Sequence, residues 1–538
     1  MLDEIDAAFT LEDSRSVAFI EVLGLGYTLP GKRRLFGDVE FKVGAGQRVA
    51  LIGANGVGKS TLLRIIADED DEFSGTARVE GTLLYMRQFV ASAETTVRQL
   101  LRSLLPMSMR KAGDELTAAE LAAAHDDSEE AGLRYAEAVA RWQELGGYAE
   151  EAAWNAACGI VLGQPYEAVT ERPIAQLSGG EAKRLLLEAI FRSEANILLL
   201  DEPDNFLDLE GKRWLERRMI ESNKTILFVS HDRELLSRTA HKLVTIESDG
   251  AWVHAGTFAT YGQARVRRVE NLAEDFRRYQ ERRQALVDTM KQYKQWASLN
   301  SKFASRAKAS ETRLRHFDEE NEPPERTVEQ RVQMRLGGAR SGNIVLKAKQ
   351  LAIPEILKPF DCEVRFGQRV AIVGPNGSGK SHFLRLLAGV PVRHLGEVVL
   401  GARVNVGYFS QTHDTPGLAG KTVIEVCRDV GLDRGGAMAA LRRYELEQRW
   451  DVGFDKLSGG QQARLQILLL ELGGSTLLAL DEPTDNLDVA SAEALERALA
   501  AYAGTVVAVT HDRWFLRGFD RFIEFRRDGT VAELQNAA

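Results

Sequence analysis

Two stretches of this chain carry residues of the type and spacing that hold phosphate. Gly53, Ala54, Asn55, Gly56, Val57, Gly58, Lys59, Ser60 and Thr61 follow the apolar run Val49-Ala50-Leu51-Ile52 and open onto Leu62-Leu63-Arg64-Ile65-Ile66. Strand, glycine-rich loop, then helix is the context that makes GxxxxGK[ST] a phosphate loop. The glycines let backbone N–H groups turn inward around phosphate oxygens, and the helix N-terminus adds partial positive charge. A lysine such as Lys59 reaches the β- and γ-phosphates, and a hydroxyl such as Ser60 ligates Mg²⁺. One copy could be a chance glycine-rich turn. A second, Gly374, Pro375, Asn376, Gly377, Ser378, Gly379, Lys380 and Ser381, follows Val370-Ala371-Ile372-Val373 and leads into His382. Chance does not account for two.

The elements that must position these loops come in duplicate. Ser178 of Leu177-Ser178-Gly179-Gly180-Glu181 precedes Asp201 by 23 residues, and Ser458 of Leu457-Ser458-Gly459-Gly460-Gln461 precedes Asp481 by the same 23. Asp201 to His231 and Asp481 to His511 are both 30 residues. Matching intervals of this length mark a duplicated domain. Asp201 and Asp481 end the apolar runs Ile197-Leu198-Leu199-Leu200 and Leu477-Leu478-Ala479-Leu480, the pattern of central parallel strands covered by helices. Carboxylates at the C-terminal edge of such a sheet stand where its ligands bind. The fold class is therefore α/β, built twice. One interval differs: Gln88 lies 90 residues before Ser178, but Gln411 only 47 before Ser458. The first half thus carries about 43 extra residues, and the Ala-, Glu- and Leu-rich stretch from Leu116 to Leu145 fits a helical pair.

Size and composition agree. A chain of 538 residues is too long for one core. No apolar run reaches the 18 or more residues that cross a bilayer. The acidic start, Met1-Leu2-Asp3-Glu4-Ile5-Asp6, lacks the order of a signal peptide. Cys158, Cys362 and Cys427 form no CxxC pair, which argues for a reducing cytoplasm. With a net charge of −9, any nucleic-acid contact must come from a local basic surface.

Taken together, these residues resemble the ATP-binding cassette ATPases, specifically the ABC-F class: two cassettes, no membrane domain and a charged linker. Asp201-Glu202-Pro203-Asp204-Asn205-Phe206-Leu207-Asp208 and Asp481-Glu482-Pro483-Thr484-Asp485-Asn486-Leu487-Asp488 fit that class, although Asp204 stands where Thr is commoner. The resemblance implies Mg²⁺-dependent hydrolysis of ATP to ADP and phosphate, with each ATP sandwiched between cassettes. One site would join the first phosphate loop to Ser458, Gly459 and Gly460; the other would join the second loop to Ser178, Gly179 and Gly180. Ser60, Gln88 and Asp201, and in the other site Ser381, Gln411 and Asp481, would hold Mg²⁺, for which oxygen ligands are suited. Glu202 and Glu482 would orient the attacking water as general bases. His231 and His511 would contact the γ-phosphate, and Asp208 and Asp488 would carry signals between cassettes. Tyr27 stands where the family keeps a ring that stacks on adenine, whereas Ile353 takes that place in the second half and His382 replaces Thr61. The second site is therefore expected to hold adenine less tightly.

Between the halves, Val269, Leu272, Phe276, Tyr279, Arg283, Leu286, Met290, Tyr293 and Ala297 alternate steps of three and four, with Arg283 the one break in an apolar seam. After Ser298-Leu299-Asn300-Ser301 the spacing resumes at Phe303, Ala307, Ser310, Leu314 and Phe317. This predicts an antiparallel α-helical hairpin whose longer arm reaches roughly 40 Å at 1.5 Å per residue. From Arg277 to Arg315 there are eleven Lys or Arg against three acids. A solvated coiled-coil face mixes both signs; a one-sided basic hairpin with Tyr293, Trp296 and Phe303 near its tip suits RNA. In the ABC-F class this linker enters the ribosome's tRNA exit site and touches the peptidyl-site tRNA, and Lys291, Lys294, Lys302, Arg306 and Lys308 are the matching candidates here. Its short turn favours a general translation factor over a protein that protects ribosomes from an antibiotic.

The expected organisation is an acidic tail over 1–15, a first cassette over 16–259 with a helical arm at about 103–150, the linker over 260–342 and a second cassette over 343–538. The expected protein is a cytoplasmic ATPase that partners the ribosome, with its ribosomal RNA and tRNA, and works as a monomer with an intramolecular cassette pair. A transporter subunit docking on membrane proteins is the reading from another class, and it leaves the basic hairpin without a task.

Overall fold

Every residue of Ile197–Asp201 and of Leu477–Asp481 is buried, as an apolar run between two covering layers must be. In the computed structural model, which describes residues 18–29, 31, 34–70, 72–88, 95–126, 128–247, 250–321, 323, 332–410 and 417–534, each run lies inside a six-stranded sheet. The first sheet runs in the order Leu83–Met86, Ile197–Asp201, Thr225–Val229, Arg48–Ile52, Lys242–Glu247, Gly250–His254. Neighbours in it are parallel except for the last pair. The second repeats this order: Val406–Phe409, Leu477–Asp481, Thr505–Val509, Arg369–Val373, Arg521–Phe525, Val531–Leu534. Beside each stands a three-stranded antiparallel sheet, with Phe19–Thr28 central in one and Ile344–Ile353 in the other. Both cassettes belong to one compact unit, and Gly256–Glu329 forms another. The tail read over 1–15 and Gln411 lie outside the described residues.

Each phosphate loop connects the fourth strand of its sheet to a helix, Lys59–Ile66 or Lys380–Leu387. The turn depends on a glycine with a left-handed backbone. Gly374 has φ 144°, and a Cβ there would meet the Phe525 carbonyl oxygen at 2.0 Å. Gly53 has φ 148° and a comparable approach to Ile246.

The extra residues of the first cassette form helices Met107–His125 and Glu129–Glu144, which pack on each other. A third helix, Gly147–Leu162, lies against the helix Gly179–Arg192. Trp142 and Trp154 are fully buried in this region. At the other end of the stretch read as linker, Val332, Met334 and Leu336 are buried in the core of the second cassette, and the Gln333 N–H donates to the Arg443 carbonyl at 2.8 Å.

The second unit is a hairpin of helices Phe258–Leu299 and Ala304–Glu320 joined through Ser301–Phe303. The longer helix has 42 residues, roughly 60 Å at 1.5 Å per residue, and thus exceeds the reach expected from the heptads alone. Arg283, the break in the seam, faces Asp318 with two hydrogen bonds of 2.8 and 3.0 Å. Tyr279 stacks on Phe317 with centroids 5.3 Å apart.

The loop geometry gives a paired test. Gly374→Ala is expected to cost about 3 kcal/mol or more, since strain and a backbone clash act together. At Gly367, where φ is 81° and nothing lies within 4 Å of a new Cβ, alanine is expected to cost about 1 kcal/mol. Thermal unfolding of the two variants measures the difference; equal losses would contradict the close approach.

Candidate nucleotide sites between the cassettes

Signature residues of each cassette face the phosphate loop of the other. Ser178 and Ser458 cap the helices Gly179–Arg192 and Gly459–Leu472, each accepting from the backbone N–H three residues on. A cavity of about 320 Å³ is lined by Asn55, Gly56, Gly58, Lys59, Ser60 and Thr61 with Gln88, Glu202 and His231, and across from them Ser458, Gly459 and Gly460. A second, of about 330 Å³, is lined by Asn376, Gly377, Gly379, Lys380, Ser381 and His382 with Asp481, Glu482 and His511, and by Ser178, Gly179 and Gly180. The Asn55 amide donates to the Asn486 carbonyl at 2.9 Å, and the Asn376 amide to the Phe206 carbonyl at 2.9 Å. The Asn55 N–H also reaches Asp488 at 3.3 Å. Asp208 and Asp488 cap helices Leu209–Glu221 and Val489–Ala501, which fixes both carboxylates at the seam.

The loop residues outside the cavity walls serve as scaffold. Lys59 donates to the Gly53 and Ala54 carbonyls at 2.9 and 3.0 Å, and Lys380 to those of Gly374 and Pro375, both at 2.8 Å. Val57 packs on the core and Ser378 is buried. The Ser381 hydroxyl donates to Asp481 at 3.1 Å.

Tyr27 stands apart from the other residues expected at the first site. Its ring does not line the first cavity; it is buried beside Phe36 in the cassette core, with centroids 6.2 Å apart. Ile353 is likewise buried in the second core. Each closes the end of a strand paired to a neighbour, and that packing claims the side chain. Leu35 is the apolar residue on the wall of the first cavity.

The charged groups explain what the cavities suit. Burial, then Asp201 and Asp204, push the Glu202 carboxyl up to about 7; burial, then Asp485, push Glu482 up to about 8. Burial raises Asp201 and Asp481 as well. His231 is driven down to about 3 by burial and by Lys59, so its imidazole is neutral, and neither ring nitrogen has a hydrogen-bond partner among the described residues. His511 is lowered by burial and by Lys380 and Lys212, and its Nε2 lies 3.5 Å from a Glu482 carboxylate oxygen. Neutral imidazoles, buried ammonium groups and carboxylates around a hydroxyl fit a nucleotide's phosphates and a hard cation. Both glutamates sit in left-handed backbone, Glu202 with φ 49° and Glu482 with φ 48°. Strain of this kind costs about 1–3 kcal/mol and persists where the surroundings impose it.

The surroundings of the two glutamates differ. Glu202 accepts from Gln88 at 2.8 Å and from Asn205 at 2.7 Å. Glu482 accepts from the His511 N–H at 3.0 Å, and Asp485 takes the place of Asn205. Sequence reasoning found no reason for Asp204; the structure supplies one. Asp204 is buried within electrostatic reach of Lys212, which is itself buried and pairs with Asp232 at 3.1 Å. Lys183, also buried, donates to the Glu202 carbonyl at 2.8 Å. In the second cassette these positions are Thr484, Ala492 and Ala463.

Reciprocal ion pairs cross the seam. Arg233 pairs with Glu496 and lies 3.3 Å from Asp512; Arg513 pairs with Glu216 and lies 3.9 Å from Asp232. Trp514 adds a hydrogen bond to Glu234 at 3.0 Å and receives Arg233 over its ring at 5.2 Å.

These features agree with what is known of similar proteins. The sequence profile described as "ABC transporter" matches residues 36–205 and 357–485. An "Antibiotic resistance protein" of Mycobacteroides abscessus is 48% identical over 96% of this chain and 99% of its own. "ABC transporter F family member 2" of Arabidopsis thaliana is 31% identical over 92% of this chain and 74% of its own. "Energy-dependent translational throttle protein EttA" of Mycobacterium tuberculosis is 30% identical over 90% and 87%. Among solved structures, the archaeal ribosome recycling factor aABCE1, in complex with ribosomal stalk protein aP1, superposes with a TM-score of 0.54 at 17% identity. That alignment covers 93% of this chain and 87% of the other, and it shows a shared fold. The chain belongs to the ATP-binding cassette family, in its F class, with two ATPase cassettes.

The seam makes a prediction. Glu216→Ala leaves Arg513 without its principal partner and is expected to cost about 3 kcal/mol, as for a buried pair broken on one side. Glu130→Ala removes an exposed pair with Arg134 and is expected to cost under about 0.5 kcal/mol. Calorimetric unfolding compares them, and a loss from Glu216→Ala no larger than the control's would mean the cassettes do not meet as described.

Proposed function

We propose that this chain is a Mg²⁺-dependent ATPase of the cytoplasm that binds the ribosome near the tRNA exit site and acts on translation by closing its cassettes on ATP. The observation that carries the proposal is the pairing of each phosphate loop with the signature residues opposite it, so that bound ATP would bridge the two cassettes. In this reading Glu202 and Glu482 orient the attacking water. His231 and His511 meet the γ-phosphate; Ser60, Gln88 and Asp201, with Ser381, Gln411 and Asp481, hold Mg²⁺. The functional unit is a monomer whose two cassettes form the dimer.

Support for the ribosome comes from the throttle protein among the relatives and from the hairpin. Lys291, Lys294, Lys302, Arg306 and Lys308 are all exposed, with Arg306 over the Phe303 ring at 5.8 Å and Lys294 3.0 Å from Glu311. Trp296 sits against Phe303 and is 40% exposed, while Leu299 at the turn is 81% exposed. An exposed Trp296 among exposed cations suits unstacked bases on a phosphate backbone. Protection of the ribosome against an antibiotic is the second reading, favoured by the 48% identical relative named for resistance. A transporter subunit is the third; among the described residues no helix is long and apolar enough to cross a membrane.

A Glu202→Gln, Glu482→Gln variant is expected to bind ATP, stall closed and stay on its partner. Affinity purification with ATP should recover ribosomes, and the Lys291→Glu, Lys302→Glu, Lys308→Glu charge reversal should weaken that recovery at least tenfold. Recovering membrane subunits in place of ribosomes would refute the proposal. Added drug that releases the variant only from drug-bound ribosomes would favour the second reading.

A further inference from the structure

The second cavity is lined by more charged groups of both signs than the first, and one of its cations comes from the other cassette. Asp204, Asp481, Glu482 and Asp485 all line the second cavity, whereas Glu202 and Asp485 are the carboxylates on the wall of the first. A nucleotide triphosphate with its cation remains anionic, so an acid-crowded wall repels it. Beside Lys380 of its phosphate loop the second cavity holds two cations: Arg385, from its own cassette, and Lys212, which enters on helix Leu209–Glu221 of the first cassette and lines it together with Glu482 and His511. Lys212 enters from the same side as Ser178, Gly179 and Gly180, opposite the phosphate loop of the second cassette. Ala492 occupies the matching position in the second cassette, is buried in its core and has no charge to offer.

Geometry ties Lys212 to the acids around it. It pairs with Asp232 at 3.1 Å, and Asp204, Asp485 and Asp512 all stand close enough to hold its charge. Asp232 in turn is anchored by the N–H groups of Glu234 and Leu235 at 2.9 and 3.0 Å. The ammonium is therefore fixed in place rather than free on a flexible stem, and a fixed buried cation acts at short range with little screening. Thr484 and Ala492 in the second cassette, against Asp204 and Lys212 in the first, show that the acid and the base are present as a pair or absent as a pair.

We propose that Lys212 is a positioning residue supplied in trans to the second nucleotide site alone, where it balances the acid-crowded wall and permits phosphate binding. The inference rests on the reading of both cavities as ATP sites. Its test separates the sites by silencing one phosphate loop at a time. In a Lys59→Ala background only the second site loads, and in a Lys380→Ala background only the first; fluorescent MgATP titration reads each affinity. Lys212→Ala is expected to weaken the second site at least tenfold while changing the first less than twofold, and Lys212→Arg to restore most of the loss. Because Lys212→Ala leaves Asp204 and Asp232 buried without their cation, it can also lower the melting temperature. The Asp204→Thr, Lys212→Ala double variant reproduces the pairing of Thr484 and Ala492, and it is expected to recover both folding and second-site affinity. Equal loss at both sites, or no loss at the second, would overturn the proposal. So would a double variant that melts like the native protein yet binds as poorly as Lys212→Ala. Absence of any binding in the Lys59→Ala background would also overturn it, and would leave the ATPase reading standing on the first site.

Discussion

Charge buried where two sheets end is the constraint on which this structure depends. Lys59, Lys183, Asp201, Asp204, Lys212 and Asp232 in the first cassette are each less than a tenth exposed, as are Lys380, Asp481, Glu482 and Asp488 in the second. An isolated ion in such a place is too costly to persist, so each must find a partner or give up its charge. The histidines take the second course: desolvation beside a lysine keeps them neutral. Glu202 and Glu482 are pushed up toward the neutral form, whereas Lys212, Asp232 and Asp488 are held by partners, among them Arg513 for Asp232 and the Asn55 N–H for Asp488 from the other cassette. Closure of the halves is therefore part of how the charges are satisfied.

That dependence explains both the symmetry and where it fails. Arg233 with Glu496 and Arg513 with Glu216 are the same contact made twice, since both arginines follow a His-Asp pair and both glutamates lie eight residues beyond a capping aspartate. Repeats can afford such duplicates because each side presents the same face. Asp485 has no such twin. It lines both cavities, so a change at one site is felt electrostatically at the other through a shared wall. Asn205, its counterpart, holds Glu202 by a hydrogen bond.

What was legible in the sequence follows the reach of each interaction. Phosphate loops, signature turns and strand-end acids are defined by neighbours a few residues away, and their types and spacing survive as text. The insertion showed as an altered interval, and Arg283 showed as a fault in the heptads although its partner Asp318 did not. Lys183 and Lys212 were silent, because a lysine inside a helix reads as a solvated one until tertiary structure brings acids around it. The contact of the Tyr27 ring with Phe36 on the paired strand was not legible either, since it depends on strand register. Val332, Met334 and Leu336 alternate with polar residues, a period-two pattern of an extended segment with one buried face, and the surrounding charge obscured it.

The inserted arm shows how a feature remote in sequence bears on the site. Helix Gly147–Leu162 packs along Gly179–Arg192, whose N-terminus carries Ser178, Gly179 and Gly180. That helix is a rigid rod with Lys183 one turn in, donating to the carbonyl of strained Glu202. Displacing the rod would therefore move two things at once: the N–H groups facing the second phosphate loop, and the support beneath the acid of the first. Because packed helices shift as units rather than deform, a load placed on the arm reaches both cavities through this one helix. In the second cassette helix Arg434–Arg443 shares a core with Gly459–Leu472, but Ala463 stands in place of Lys183 and offers no such hydrogen bond.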